Sequence, residues 1–210
     1  MNITGLRVCA VFVAIDLIME IKMLNPVVAH LEHYLGPISC GWSDEESILP
    51  FKVVSFENQP ADKVITYSTL GLSEVVLGLP RGRKVRQELV ISAHASTPAN
   101  EIANFLLSCV EFLNERGDAI LRGEVVNSPS LLIKGATVNA VYATNPTPFG
   151  IGFSELSGAV PPVIFVLLVP ITTNEELLIR SEGWSWFEDM LETQDPDIWN
   201  FYRSEQVLKW

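Results

Sequence analysis

Apolar and polar positions along the chain predict a sheet with helices laid on it. Phe51 to Glu57, Lys63 to Thr69 and Arg86 to Ala93 are rich in β-branched residues and read as strands, the first two joined by a turn at Asn58-Gln59-Pro60-Ala61-Asp62. Tyr67-Ser68-Thr69-Leu70-Gly71-Leu72-Ser73-Glu74 alternates hydroxyl-bearing and apolar side chains and reads as the middle of that sheet. Val75 to Leu79 adds a strand that pairs with the Arg86 strand across Pro80 to Lys84. Ala136 to Ala143 and Val163 to Ile171 are two more. The second is apolar almost without a break, so both its faces must be covered in mid-sheet.

Helices frame these strands. Asn25 caps a helix from Pro26 to Leu35 that Gly36-Pro37 stops. Ile102, Phe105, Leu106, Cys109, Val110 and Leu113 recur at helical spacing, with Thr97 as N-cap, Pro98 in the first position and Gly117 as the stop. Thr173-Asn174-Glu175-Glu176 opens a helix reaching Ser181, Trp184 to Thr193 forms another, and Asp195-Pro196-Asp197 caps a last one running towards Arg203. A polar segment lies at Ser43 to Ser47 and a turn-rich loop at Asn145 to Gly152. This order makes the fold class α+β, a mixed β-sheet with helices packed on it.

Length sets one core: 210 residues suit a single domain, placed at residues 23–210. Leu6 to Met19 is too short for a membrane span, which needs about 20 apolar residues, and Asp16 interrupts it. No cleavage site follows it, so residues 1–22 are read as an N-terminal extension, either a helix packed on the domain or, the favoured reading, a stretch before a true start at Met23, which predicts no packed place in the fold for it. No membrane partner is expected.

Charge narrows the function. A formal net charge of −11 repels phosphate backbones, which disfavours nucleic acid and favours a basic partner. Cys9, Cys40 and Cys109 show no paired or metal-finger spacing, which points to a reducing, cytoplasmic setting.

Tests for chemistry turn up little. Gly71-Leu72-Ser73-Glu74-Val75 lacks the second glycine of a nucleophile elbow, and a Ser73–His94 pair has no orienting partner, so a serine hydrolase is the weakest alternative and no enzyme is expected. His30 and His33 stand three apart on a helix without a further ligand nearby, so neither a metal nor a cofactor is predicted. Arg81-Gly82-Arg83-Lys84-Val85-Arg86 is the one basic cluster, either a solvated hairpin tip or a contact for an acidic group. Segment 173–210 carries nine acidic and three basic residues together with Trp184, Trp186 and Trp199. Solvated helices account for such a segment, and so does a docking face for a basic protein. The candidate partner-binding residues are therefore Arg81, Arg83, Lys84 and Arg86 on the hairpin, and Trp184, Trp186, Glu188 and Asp189 on the helix.

Three blocks extend this reading. They are Ile48-Leu49-Pro50-Phe51-Lys52-Val53-Val54; Tyr67 to Glu74 with Arg86-Gln87-Glu88-Leu89-Val90-Ile91; and Leu168-Val169-Pro170-Ile171-Thr172 with Glu175-Glu176-Leu177 and Gly183. In this order the chain resembles the suppressor of fused (SUFU) family, in its bacterial stand-alone form. The resemblance implies a non-enzymatic protein-binding domain, most concretely an immunity protein that neutralises a toxin domain by stoichiometric binding. A binding module in a signalling or stress pathway is the alternative it leaves open. It carries over no partner-contact residues.

Overall fold

Val163–Thr172, the strand without polar interruption, lies at the centre of the sheet. A computed structural model describes residues 7–8 (backbone alone), 25–43, 51–127 and 133–204. The expected extension at 1–22 (Arg7–Val8 apart), Cys9, the polar segment from Asp44 and the block Ile48-Leu49-Pro50 lie outside those residues.

The described elements are β1 (Arg7–Val8), α1 (Pro26–Leu35), β2 (Cys40–Ser43), β3 (Lys52–Glu57), β4 (Val64–Leu70), β5 (Leu77–Gly78), β6 (Lys84–His94), α2 (Ala99–Arg116), β7 (Val125–Val126), β8 (Val138–Thr144), β9 (Glu155–Leu156), β10 (Val163–Thr172), α3 (Thr173–Glu182) and α4 (Trp184–Gln194). The strands form one mixed sheet in the order β1-β2-β3-β4-β6-β10-β8-β7, with β5 added to β6 and β9 to β10. The pairing of β6 with β10 is parallel, Val163 opposite Arg86, and the other pairings are antiparallel.

Alternation along the central strands divides the core between two faces. One face carries Leu89, Ile91, Val166 and Leu168 and is covered by the Ile102–Leu113 stripe of α2. The other carries Val90, Phe165, Leu167 and Val169 and is covered by Leu31 and Leu35 of α1, Leu178 of α3 and Phe187 of α4. Each such large side chain contributes about 1.5–3 kcal/mol on burial, so losing either layer would unfold the sheet.

Several boundaries differ from expectation, each for a local reason. β4 ends at Leu70, because Gly71 turns left-handed (φ 108) and starts a 3-10 turn over Leu72–Glu74. The alternating stretch is thus half strand and half turn. The strand expected over Val75 to Leu79 is reduced to β5, opposite Val85 and Lys84. Helix α2 begins at Ala99, since Pro98 is extended (ψ 114), and Thr97 sits one residue outside, its N–H bonded to His94 O at 2.8 Å. The capping box is Thr172 with Glu175, one residue earlier than expected, because Thr173 is already helical. No helix forms over residues 195–203. Asp195 adopts a left-handed conformation (φ 41) and ends α4. The segment then gives its carbonyls to the sheet, Trp199 O to His94 N and Phe201 O to Thr137 N. β2, β7 and β9 had no sequence signal, being two to four residues long. Among the described residues no helix is long and apolar enough to cross a membrane.

Candidate partner-binding surface

The two groups of candidate residues flank one loop, residues 117–124. Its start is tied to β5: Gly78 N donates to Gly117 O at 2.9 Å and Ala119 N to Gly78 O at 3.0 Å. Its end reaches α4 through Arg122.

On the hairpin side, Arg81, Arg83 and Lys84 are exposed on the 3-10 turn and the first residue of β6. Arg86 is partly buried inside β6, its N–H held by Pro162 O at 2.9 Å, so it does not join the exposed cluster.

On the helix side, the four residues of α4 face different ways. Asp189 points to solvent, Trp186 packs on the core, and Trp184 stays 41% exposed. Glu188 turns inward and accepts from Tyr142 Oη (2.8 Å), Thr144 Oγ1 (2.7 Å), Arg122 Nε (3.1 Å) and a terminal nitrogen of Arg122. Burial pushes its carboxyl up, but the bonds from Arg122, Thr144 and Tyr142 and the guanidinium charge outweigh it, and its pKa falls below the ordinary value. Burial, reinforced by Glu188, raises the Tyr142 pKa in turn. Glu188 is thus a fastener between helix and sheet rather than a free docking charge.

The loop residues Arg122 and Gly123 escaped sequence reasoning. The Arg122 guanidinium lies 4.8 Å from the centroid of the Trp184 ring, a cation–π contact. Gly123 (φ 93) packs so closely that a Cβ there would stand 2.8 Å from Trp184 Cδ1. No local motif announces either residue, because their partners lie some sixty residues away in α4. Gly123→Val is expected to lift the loop from Trp184. Its measurable signs are a change in the Trp184 fluorescence environment and a loss of about 2 kcal/mol in urea unfolding, from strain at positive φ combined with overpacking.

The chemistry-bearing pairs come apart. Ser73 is buried, and its N–H donates to Glu88 Oε1 at 3.0 Å. His94 is at the far end of β6, six residues or roughly 20 Å along the strand, where it bonds Asp197. They form no dyad. His30 stacks on Phe165 with ring centroids 4.7 Å apart and bonds Phe153 O at 2.9 Å, and burial lowers its pKa. His33 meets Tyr34 edge-on. Among the described residues no group of three potential metal ligands assembles.

The most conspicuous buried polar group is Glu88, fully enclosed in β6. Thr69 Oγ1 donates to its Oε2 at 2.5 Å, while the N–H groups of Gly71 and Ser73 each donate to Oε1 at 3.0 Å. Thr69 Oγ1 also accepts from Leu89 N at 2.8 Å. One carboxyl therefore pins the 3-10 turn to the sheet.

The model of the family described as Suppressor of fused protein (SUFU) matches residues 49–204. The chain belongs to the SUFU family. The Glu88 knot falls on the Thr-Leu-Gly-Leu-Ser and Glu-Leu blocks, which gives that pair of blocks a structural reason. Among solved structures, this SUFU domain is similar to a SUFU homologue of Neisseria gonorrhoeae, at 20% identity and TM-score 0.70, over 91% of this chain and 100% of that one. It is also similar to Sufu in a Sufu–Fu complex, at 13% identity and TM-score 0.67, over 86% and 90% of the two chains. Drosophila Suppressor of Fused matches at 15% identity and TM-score 0.66 over 86% of this chain, which spans 50% of that longer one. At these identities the likeness establishes the mixed-sheet SUFU fold. No curated protein matches the chain.

Proposed function

We propose that this SUFU domain acts without catalysis, as a cytoplasmic immunity protein that neutralises a basic toxin domain by stoichiometric binding. The observation that carries the reading is the family membership together with the structure of a relative in complex with a protein, Fu. Charge supports the basic partner. In a chain of net charge −11, Glu182, Asp189, Glu192 and Asp195 are exposed along α3, α4 and the turn that follows. Such a field speeds encounter with a cationic surface. Capture of an extended segment at a sheet edge is a compatible mode. The Sufu–Fu complex also favours a second reading, a binding module in signalling or stress regulation, and the identity of the partner separates the two.

The deciding experiment is affinity capture of the tagged protein from its native cells, followed by mass spectrometry. One stoichiometric partner encoded beside this gene and toxic when expressed alone is the expected result. A regulator encoded elsewhere would transfer the proposal to the second reading, and no stable partner would end both. With the partner in hand, Glu182→Lys/Asp189→Lys is expected to slow association about tenfold at low salt, with the difference vanishing at high salt. Arg83→Glu/Lys84→Glu should leave association as fast or faster. The opposite pattern would mean an acidic partner docking on the hairpin.

A further inference from the structure

A cleft of about 320 Å³ opens between α4 and the sheet. Its floor is Leu167 and Val169 of the central strand, and Leu191 and Ile198 form apolar walls. Three charged groups line it: Arg122, Glu188 and Glu192. They are not equivalent. Arg122 and Glu188 neutralise each other, and Arg122 is held in place over Trp184. Glu192 is exposed and makes no ion pair among the described residues. The cleft thus combines an apolar lining with one carboxylate, Glu192, that has no ion-pair partner among the described residues, and Asn145 and Thr147 add polar groups to the lining.

From this geometry we infer that the cleft is an anchor pocket for a single arginine or lysine side chain of a protein partner. The volume suits one long side chain rather than a helix. An aliphatic stem fits the apolar lining while its cationic head stays at the exposed carboxylate, the division that long basic side chains adopt at surfaces. An anionic side chain would meet Glu192 with no free cation in the described lining to offset it, since Arg122 is already committed. An apolar side chain would cover the apolar lining but leave Glu192 unanswered. The inference rests on the protein-binding reading and deepens it by naming the group that is gripped.

The pocket can be tested without the partner. Protein labelled at leucine, valine and isoleucine methyls is titrated with the blocked amino-acid amides Nα-acetyl-arginine amide, Nα-acetyl-lysine amide, Nα-acetyl-norleucine amide and Nα-acetyl-glutamate amide, and followed by NMR. Saturable shifts at Leu167, Val169, Leu191 and Ile198 are expected with the arginine or lysine amide, weaker ones with norleucine and none with glutamate. Glu192→Gln, an exposed helical substitution that leaves the fold intact, should weaken the basic amides about tenfold, the worth of one charged hydrogen bond. Absence of shifts at those methyls, norleucine or glutamate binding as tightly as arginine, or an unchanged affinity in Glu192→Gln would each overturn the pocket. The two proposals fail separately. A captured partner that Glu192→Gln still binds, with no amide shifts, removes the pocket alone, whereas amide binding together with a captured regulator encoded elsewhere removes the immunity reading alone.

Discussion

Arg203→Ala is expected to destabilise the protein by about 3–5 kcal/mol, the usual result of stripping one member from a buried ion pair. Arg203 is 4% exposed and Glu175 2%. The guanidinium donates to Glu175 Oε2 at 2.5 Å and to Pro170 O at 2.6 Å. Without it Glu175 keeps a buried charge with too few partners, because its remaining bond is the cap on Thr172 N at 2.7 Å. The loss propagates. Arg203 closes the segment after α4 onto the sheet, with its own carbonyl accepting from Thr137 Oγ1 at 2.6 Å and Phe201 buried beside it. A fall in Tm on the order of 10 °C should be seen by differential scanning calorimetry. Arg203→Met/Glu175→Gln should recover much of it, since the glutamine keeps the cap and no charge is stranded. A single variant within about 1 kcal/mol of the parent would show that the pair is not the fastener of this segment.

Glu88 gives the second large effect and a pH signature. Glu88→Ala strands the N–H groups of Gly71 and Ser73 in a dry site and opens a cavity, a combined loss of about 3–5 kcal/mol. Glu88→Gln should cost far less. Its oxygen can take the same two N–H bonds and its amide can donate to Thr69 Oγ1. Burial raises the Glu88 pKa above the ordinary 4.5, and the donors from Thr69, Ser73 and Gly71 offset only part of that. A carboxyl whose pKa is raised on folding holds its proton better in the folded state. Its contribution is complete below about 4.5 and is lost as pH rises through the folded value. The stability of the parent relative to Glu88→Gln should therefore decline over the pH interval above about 4.5 in urea titrations. A difference that grows with pH over that interval would falsify the assignment of a raised pKa.

Both effects bear on how far the sequence could be read. The Thr-Leu-Gly-Leu-Ser and Glu-Leu blocks pointed to the family, yet alternation alone made them continuous strand. They diverge from strand at Gly71, whose left-handed backbone a glycine permits, and Glu88 holds the resulting turn by accepting from the N–H groups of Gly71 and Ser73, bonds that no local pattern announces. Likewise Asp195-Pro196-Asp197 carries a good helix-start pattern. The segment forgoes a helix because Arg203, Phe201 and Trp199 gain more by pairing with Glu175, Thr137 and His94 across the sheet.

The candidate surface divides in the same way. The basic hairpin, the aromatic and acidic α4 and the net charge were legible as composition. Arg122, Gly123 and the inward turn of Glu188 were not, since each is defined by a partner distant in the chain. What the sequence alone determined was the periodic information: the covered central strand Val163–Thr172, the α2 stripe, the caps at Asn25 and Gly117, the α+β class and the family resemblance. These depend on neighbours within a few residues, where sterics and burial act directly. Tertiary structure alone decided which polar groups are structural and which face outward. A carboxylate's role is set by whether donors surround it, and at Glu88, Glu175 and Glu188 those donors come from other strands, a loop and the segment that follows α4.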